Sequence, residues 1–458
     1  MTQVLNDATN SAAGANMTKT IATGSKPALN PCSPRELIRD FFHGLFQHAV
    51  AAALPSHCLP PFLQALEPAR GRTLVIGAGK ASAAMAQTLE AHWPHPIAAG
   101  LVVTRHGEAA NTPCRQIEIM EAAHPVPDAA SELAATRMLQ MVQGLSKEDQ
   151  VICLISGGGS SLLALPAPGI TLQDKQQISR ALLKSGATIA EINCVRKHLS
   201  AIKGGQLALA CHPAQVHSLF ISDIPGDDAS LIASGPSLPD ASTLAEAQAV
   251  LRKYAIAVPP AIAAHLANQA HETVKPGDAR FASHTWHTVA SAQLALEAAA
   301  TFATQQGITP YILSDCIEGE ARDIGQMHAA IAKQVLHHNQ PFARPCLLLS
   351  GGETSVTVRG SGRGGRNSEF LLSMALALQG ATGIHAMAAD TDGIDGSENN
   401  AGATLHPDTL ARASALDIQA AAHLEQNNSY AFFSALEDLI VTGPSGTNVN
   451  DLRAVLIL

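Results

Sequence analysis

The chain has 458 residues, of which 46% are hydrophobic and only 3% aromatic, and its formal net charge is −9. This length predicts two or three domains, and the aliphatic composition is typical of α/β proteins built from Val/Ile/Leu strands and Ala-rich helices. The negative charge, with no long basic block, argues against a nucleic-acid partner, and no apolar run is long enough to span a membrane. The eight cysteines contain no CxxC pair, which indicates a reduced, cytoplasmic protein.

The first 32 residues differ in composition from the rest. They are rich in Ala, Asn, Thr and Ser, and they lack both the apolar segment of a secretory signal and the arginines of a transit peptide. We therefore predict a disordered tail over residues 1–32. The sequence Ser33-Pro-Arg-Glu36 has the residues that begin a helix, and it predicts one through about Ala53.

Strands and helices then alternate along the chain. In the first half, strands are predicted near 72–76, 100–104, 118–121, 151–155 and 218–222, with a helix over 192–210. This alternation predicts a Rossmann-like, doubly wound parallel sheet for residues 33–280. In the second half we predict strands near 285–291, 309–314, 383–389 and 453–458 and a hairpin over 346–358. These elements predict a smaller mixed α/β domain over 281–458, with the active site in the interdomain cleft.

A glycine-containing turn follows the first predicted strand. Gly77-Ala-Gly79 followed by a helix is typical of a dinucleotide-binding turn, where backbone N–H groups favour anions. However, Ser82 occupies the place of the third glycine, and the next strand ends at Arg105 instead of the acidic residue that would bind a ribose. Lys80 adds a positive charge at this helix start. We therefore predict that Gly77, Gly79 and Lys80 bind phosphate.

A Ser-Gly-Gly pattern follows an apolar strand twice, at residues 156–161 and 350–355. In the first copy, glycine N–H groups and hydroxyls suit a phosphate cradle, although the pattern lacks the ending of a Walker A loop. The predicted cradle residues are Ser156, Gly157, Gly158, Gly159, Ser160 and Ser161. The repeat suggests two α/β domains that face each other across one site.

The second copy leads into a loop with four glycines and three arginines. Arginine forks fit phosphate and carboxylate oxygens, so this loop is predicted to hold an anion. Its candidate binding residues are Glu353, Arg366 and Asn367. On the predicted helix over 192–210, Arg196 and Lys203 fall on one face, and we add both to the candidates.

Acidic loops follow two of the predicted strands. They contain Asp223, Asp227 and Asp228 in the first half and Asp390, Asp392 and Asp395 in the second. Parallel sheets bind ligands where their strands end, and Mg²⁺ prefers one or two carboxylates together with phosphate oxygens and water. We predict Asp223 and Asp228 as candidate metal ligands, and the sequence leaves open which of the two binds the ion. Asp390 and Asp392 are predicted to be further residues of the active site. The sequence has no zinc pattern and no GxSxG motif.

Together these motifs resemble the MOFRL-type (class II) glycerate 2-kinases, a family often labelled hydroxypyruvate reductases. The resemblance runs in order over about residues 33–458. It is carried by Gly77–Ala81, His124–Asp128, Ser156–Ser161, Asn193–Ser200, Lys203–Gly205, Ser222–Asp228, Ser234–Pro236, Ser350–Thr354, Gly362–Asn367, Asp390–Asp395 and Thr442–Asp451.

The resemblance implies an ATP- and Mg²⁺-dependent kinase that converts D-glycerate to 2-phosphoglycerate, with Lys80 and Arg366 as the basic pair that matters most. We expect Lys80 to contact the transferring phosphoryl group and Arg366 to clamp that group or the glycerate carboxylate. Asp223 or Asp228 would help to hold Mg²⁺. Asp390 or Asp392 would orient the 2-hydroxyl or accept its proton.

Two alternative functions have less support in the sequence. An NAD(P)-dependent hydroxypyruvate reductase would use Gly77–Gly79 for the pyrophosphate and Arg105 for a 2′-phosphate, but the two departures from the dinucleotide pattern argue against it. A non-catalytic sugar-acid sensor lacks support from any DNA-binding segment. The sequence leaves the oligomeric state open, and a homodimer is compatible with an enzyme of this size.

Overall fold

The computed structural model describes residues 33–109 and 114–458, so the tail predicted over 1–32 lies outside the described residues. Each half of the chain contains one six-stranded sheet with helices packed against it. The α/β class, the parallel first sheet and the mixed second sheet are confirmed. Among the described residues, no helix has the length and apolar character needed to cross a lipid bilayer.

The first sheet is entirely parallel, in the order β3-β2-β1-β4-β5-β6. Its strands are β1 (Thr73–Ala78), β2 (Ala99–Arg105), β3 (Ile117–Ala122), β4 (Gln150–Ser156), β5 (Gln215–Ile221) and β6 (Thr285–Ala290). Every residue of β1 and β4 is buried, which explains their unbroken apolar runs, because helices cover both faces of such a sheet.

Five of the eleven helices described in this half begin at a capping box; in the helix Pro34–Ala53, for example, Ser33 and Glu36 form it. The eleven helices are α1 (Pro34–Ala53), α2 (Pro55–Cys58), α3 (Pro60–Ala65), α4 (Ser82–His92), α5 (Ala129–Met141), α6 (Gly159–Leu162), α7 (Leu172–Lys184), α8 (Ile189–His198), α9 (Gln206–Ala210), α10 (Leu244–Lys253) and α11 (Pro260–Ala267), with short 3₁₀ turns at Ile232–Ser234, Gln269–His271 and Ala279–Phe281.

The second sheet is mixed, in the order β13-β12-β11-β14-β9-β7, and only the pair β7–β9 is parallel. Its elements are α12 (Ala292–Gln305), β7 (Thr309–Ser314), β8 (Gly319–Glu320), α13 (Ala321–His338), β9 (Cys346–Ser350), β10 (Thr354–Ser355), α14 (Arg366–Leu378), β11 (Ile384–Asp390), β12 (Gly402–Leu405), α15 (Thr409–Ala415), α16 (Ala420–Glu425), α17 (Ser429–Ala435), β13 (Leu439–Ile440) and β14 (Asp451–Ile457).

Two sequence predictions about this half need correction. The strand Thr285–Ala290 pairs with β5, so the first sheet extends beyond the predicted boundary near residue 280. The hairpin predicted over 346–358 does not form, because β10 pairs in parallel with β8 instead of folding back on β9. Strand pattern alone does not show which partner a short strand will find.

One hydrophobic core runs through both halves. It includes Phe42 and Leu45 of α1, Ile152 of β4 in the first sheet, and Leu347 and Met387 in the second sheet. Helix α1, although it precedes the first sheet in sequence, packs chiefly on α12 of the second half. The two sheets are therefore held together by shared apolar packing, and the loops after their strands face a common cleft.

Candidate active site

The loops at the strand ends of both sheets line one polar cavity of about 310 Å³. The first half contributes Lys80 after β1, Arg105 at the end of β2, His124 after β3, Gly158 after β4 and Asp223 after β5. The second half contributes Glu353, Arg366, Asp390, Asp392, Ile394, Gly396, Asn448 and Asn450. A wider cavity of about 430 Å³ adjoins it and shares His124, Gly158, Asp223 and Glu353.

Lys80 reaches across the cleft from the turn after β1. Its backbone N–H donates to Gly157 O at 2.9 Å, which fixes the turn against the end of β4. Its Nζ lies 3.8 Å from Asp392 Oδ2 of the second half, and its side chain remains 21% exposed. The ammonium is therefore held near the cavity by a long ion pair and remains able to meet a ligand.

Arg366, the first residue of α14, contacts three carboxylates. Its guanidinium donates to Asp451 Oδ1 at 2.8 Å, to Glu353 Oε1 at 2.7 Å and to Asp390 Oδ2 at 2.7 Å. Burial alone would disfavour its charge, but these carboxylates outweigh burial and hold the pKa of Arg366 above its ordinary value. The group is thus a permanently charged fork in a fixed orientation.

The acids around Arg366 differ in their readiness to lose a proton. Burial raises the pKa of Asp390 well above its usual range, and the negative charges of Asp392 and Asp451 act in the same direction. The positive charge of Arg366 opposes this shift but does not cancel it. Burial also acts on Asp451, but Arg366 and Arg453 outweigh it and lower the pKa of that carboxyl. Asp451 is therefore the anion that anchors Arg366, and Asp390 retains a proton more readily.

Asp223 lies where the two halves touch. Its backbone carbonyl accepts a hydrogen bond from Asn450 Nδ2 at 2.6 Å. Burial raises the pKa of its carboxyl to about 6; Lys80 opposes this shift and Glu353 adds to it. Gly157 packs against this carboxyl so closely that a Cβ there would overlap it, so glycine is required at position 157.

His124 lines both cavities from the loop after β3. Burial, together with the positive charges of Lys80, Arg105 and Arg196, lowers the pKa of His124 to about 4. The ring is therefore neutral at physiological pH. It can donate or accept one hydrogen bond to a ligand without adding charge.

Several predicted phosphate-binding residues instead join β1 to β4. Gly77 lies inside β1, where a Cβ would overlap Leu154 O, and Gly79, at φ +141°, packs against Ser156. The Ser156 hydroxyl accepts from the N–H of Ala81 at 3.0 Å. None of these three predicted residues lines the two cleft cavities. Their glycines and hydroxyl are explained by the close approach of two turns.

The remainder of the predicted cradle reaches the cleft only in part. Gly158, Ser160 and Ser161 line the wider cavity. Ser160 Oγ lies 2.6 Å from Ser234 Oγ, and Ser161 Oγ donates to Gly158 O. Gly159 begins α6, and a Cβ there would overlap Ala233. The accessible part of this loop is therefore one glycine and two hydroxyls.

Arg196 and Lys203 both line the wider cavity, as predicted, but by a different local structure. The helix predicted over 192–210 ends at His198, and the chain turns before α9 begins at Gln206. Gly204 and Gly205, at φ +57° and +82°, allow this turn. The two cations thus reach the cavity from a helix and from a turn and not from one helical face.

Two other predicted residues lie away from both cavities. Asn367 is buried, and its Nδ2 donates to Asp451 Oδ1 at 2.8 Å, so it supports the Arg366 network. Asp228 accepts the N–H of Ser230 at 2.9 Å as a turn former and lines a separate cavity. The predicted metal pair is therefore not brought together. Within the described ranges, no group of three or more His, Cys, Asp or Glu side chains could hold a metal ion.

Sequence reasoning singled out neither Asp451 nor Lys175. Asp451 begins β14 and anchors both Arg366 and Arg453, and Lys175 lines the wider cavity from α7. Asp451 is the final residue of the last motif that carries the family resemblance, and this position is the sequence signal that could have identified it as a functional residue. Lys175 has the sequence context of an ordinary residue of an amphipathic helix, and only its burial in the structure distinguishes it from the exposed lysines.

Residues 41–267 match a family described as a domain of unknown function (DUF4147), and residues 346–451 match the MOFRL family. The chain is 50% identical to an Agrobacterium vitis protein named "Putative hydroxypyruvate reductase", over 93% of this chain and 95% of that one. It is 38% identical to a Thermotoga maritima protein named D-glycerate 2-kinase, over 90% and 97%.

A crystal structure of a glycerate kinase from Thermotoga maritima has the same fold. It superposes with a TM-score of 0.85 at 37% identity and covers 92% of this chain and 100% of that one. Both halves of the chain are matched in order, and the similarity extends across the cleft between them. The chain therefore belongs to the DUF4147/MOFRL glycerate kinase family.

Proposed function

We propose that this protein is a glycerate 2-kinase, which transfers the γ-phosphoryl group of ATP to the 2-hydroxyl of D-glycerate and yields 2-phosphoglycerate and ADP. One observation carries the proposal: Lys80 and Arg366, from opposite halves of the chain, line the same small polar cavity together with Asp390 and Asp392. Such a cavity can position a small acid and neutralise the charge of a transferring phosphoryl group, which is most of what phosphoryl transfer requires.

The residues present fit a nucleotide with one Mg²⁺. Mg²⁺, when bound, would neutralise the negative charge of the phosphate groups. Magnesium uses few protein carboxylates when phosphates and water supply its other ligands, so the absence of a three-residue metal cluster in the described part is compatible with it. Asp223, at the junction of the two cavities, is the acid we assign to hold the ion.

Each remaining group has a role that its contacts allow. Arg366, fixed by three carboxylates, presents its exposed edge to the glycerate carboxylate or the transferring phosphoryl group. Lys80, held by one long ion pair, approaches the phosphoryl group as negative charge develops there. Asp392 accepts the proton of the 2-hydroxyl. Asp390, whose pKa burial raises, orients that hydroxyl as a hydrogen-bond partner.

The name of the Agrobacterium relative favours a second candidate, an NAD(P)-dependent hydroxypyruvate reductase. The turn after β1 argues against it. The N–H groups of Lys80, Ala81 and Ser82 already donate to Gly157 O, Ser156 Oγ and Gly79 O. A dinucleotide pyrophosphate would need these donors at the start of α4, and they are occupied within the protein.

A coupled assay tests the proposal. Purified protein is mixed with ATP, Mg²⁺ and D-glycerate, and enolase is added without phosphoglycerate mutase. Signal through enolase is expected, because only 2-phosphoglycerate is its substrate. Signal that requires mutase would indicate 3-phosphorylation, and oxidation of NAD(P)H by hydroxypyruvate without ADP release would establish the reductase. The Lys80→Met variant, prepared in parallel, controls for contaminating kinases.

A further inference from the structure

Four cations of the first half line the wider cavity: Arg180 is exposed, whereas three others are buried or half-buried. Lys175 comes from α7, Arg196 from α8, and Lys203 from the turn between α8 and α9. Lys175 and Lys203 are both buried, with 4% and 0% of their surface exposed. Lysine is almost never buried to this extent unless an anion accompanies it.

These three side chains lack anionic partners in the part of the chain that the structure describes. Lys175 Nζ donates to Leu199 O at 3.3 Å, and Lys203 Nζ donates to Ala233 O at 3.1 Å. An ammonium has three donors, so each has capacity left after one carbonyl. Over residues 33–109 and 114–458, no ion pair involves Lys175, Arg196 or Lys203.

Two acids of the same half are already paired with other lysines. Asp240 pairs with Lys197 at 3.1 Å, and Glu191 pairs with Lys253 at 2.6 Å. The other charged or titratable groups that line this cavity are His124, Arg180, Asp223, Glu318 and Glu353. Of these, His124, Asp223 and Glu353 also line the polar cavity, so they lie where the two cavities meet.

Burying an unpaired charge costs several kcal/mol, and three neighbouring cations add mutual repulsion. A purely structural role would be served better by apolar side chains of the same size. The arrangement is explained if a ligand supplies the missing negative charge. A ligand with several linked anionic groups would meet all three cations at once.

We propose that Lys175, Arg196 and Lys203 form one binding site for a chain of linked phosphate groups, the class of group that a nucleoside triphosphate carries. This inference rests on the proposed function for the identity of the donor. It places the unreacting phosphates of the nucleotide in the wider cavity and leaves the polar cavity, with Lys80 and Arg366, for the acid and the transferring group.

Ligand binding at this site should be coupled to the uptake of protons. Burial and the charge of Arg196 lower the pKa of Lys175 to about 7, and burial together with both neighbours lowers the pKa of Lys203 well below its ordinary value. Above pH 7 the free protein therefore holds fewer than two protons on this pair. A bound polyanion raises both pKa values, so binding takes up protons and weakens as the pH rises from 7 to 9.

Calorimetric titration with inorganic tripolyphosphate, without nucleotide or glycerate, tests the site directly. At pH 8 we compare the wild type with Lys175→Met and Lys203→Met; Lys184→Met, an exposed lysine at the end of α7, is the matched control. Each buried substitution should weaken binding about tenfold or more, because it removes a charge-assisted hydrogen bond, and the control should bind within about twofold of the wild type. Titrations in Tris and in HEPES, whose ionisation enthalpies differ, measure the proton uptake, which should fall in both buried variants.

Melting temperatures separate a lost site from a lost fold. Both buried variants should melt at or above the wild-type temperature, because each loses a desolvated charge. Wild-type affinity for tripolyphosphate in both folded variants, or binding without proton uptake, would overturn the proposal. Loss of D-glycerate binding with unchanged tripolyphosphate binding would also overturn it. If tripolyphosphate binding depends on Lys175 but ATP and glycerate do not react, the site stands and the proposed function fails.

Discussion

On the wall of the cleft that comes from the first sheet, Lys80 Nζ lies 3.8 Å from one carboxylate oxygen, whereas on the opposite wall Arg366 contacts three carboxylates at 2.7–2.8 Å. Lys175, Arg196 and Lys203 extend the first wall with basic side chains that form no ion pair with a described acid. The comparison indicates that the two walls of the cleft have different roles. One wall keeps positive charge available for the ligand, and the other fixes the orientation of a single positive group.

The largest effect is expected at the fixed group. Arg366→Met should reduce kcat by about 10³-fold or more and also lower the free energy of unfolding by about 3–5 kcal/mol, because it leaves buried carboxylates without their partner. Coupled-assay kinetics and denaturant unfolding measure the two effects. Arg366→Lys, which keeps the charge without the fork, should recover part of the stability and little of the activity. Full stability in Arg366→Met would contradict the anchoring role of Asp451.

Lys80→Met should separate activity from stability. We expect a loss in kcat of about 10³-fold, because the transferring group loses its mobile positive charge. The free energy of unfolding should change by less than about 1 kcal/mol, because a partly exposed, long ion pair stabilises little. Turnover near the wild-type value, in protein with an unchanged melting temperature, would remove Lys80 from the mechanism.

The pH profile tests Asp223, which belongs to the first wall but has a negative charge. Because the pKa of its carboxyl is about 6, kcat/KM should fall roughly tenfold per pH unit below pH 6 as the metal-holding form is protonated. The folded carboxyl binds its proton more tightly than the unfolded one, so its contribution to the free energy of unfolding decreases as pH rises from about 4 to 6.

Asp223→Asn should abolish this acidic limb together with most of the activity. Asp228→Asn is the matched control on the same loop, and it should retain activity within about twofold, because Asp228 lies outside both cleft cavities. An activity profile that stays flat down to pH 5 would show that Asp223 does not titrate during turnover.

The smallest effect is expected at the two Ser-Gly-Gly turns. Ser156→Ala should cost about 1–3 kcal/mol of unfolding free energy and change kcat only a few-fold, because the hydroxyl satisfies a buried N–H group instead of a ligand. Ser350→Ala is the counterpart in the second sheet, where the hydroxyl lies 3.0 Å from His328 Nε2, and a similar cost is expected. A large loss of nucleotide affinity in Ser156→Ala alone would restore the phosphate-cradle prediction.

The sequence indicated which residues line the cleft where those residues follow the end of a strand. Parallel strands end at one edge of a sheet, so Lys80, Gly158 and Asp223 could be expected to meet. Glu353 and Arg366 followed from the loop composition. These residues do line the polar cavity, and the cleft between two sheets was predicted as well.

The predicted residues that do not line the cleft share one physical explanation, which is that the type of a residue does not determine which group it contacts. Gly77 and Ser156 have the composition of a ligand-binding turn, but their neighbour is another turn of the protein. Asp228 has the chemistry of a metal ligand and caps its own loop. Asp451 accepts a hydrogen bond from Arg366, although the two residues are 85 positions apart in sequence, and no local pattern predicts that contact. Helix α8 ends at His198, and the turn that leads from it to α9 contains two glycines with positive φ angles.

The packing of α1 on α12 has a consequence for how the chain is made. Helix α1 ends at Ala53, but its packing partner begins only at Ala292 and is therefore synthesised much later. At about 5–20 residues per second, a ribosome needs roughly 10–50 s to reach that partner. During this interval the apolar face that contains Phe42, Leu45 and Phe46 has nothing from the second half to cover it. Chaperone occupancy on the nascent chain should therefore persist until α12 has emerged.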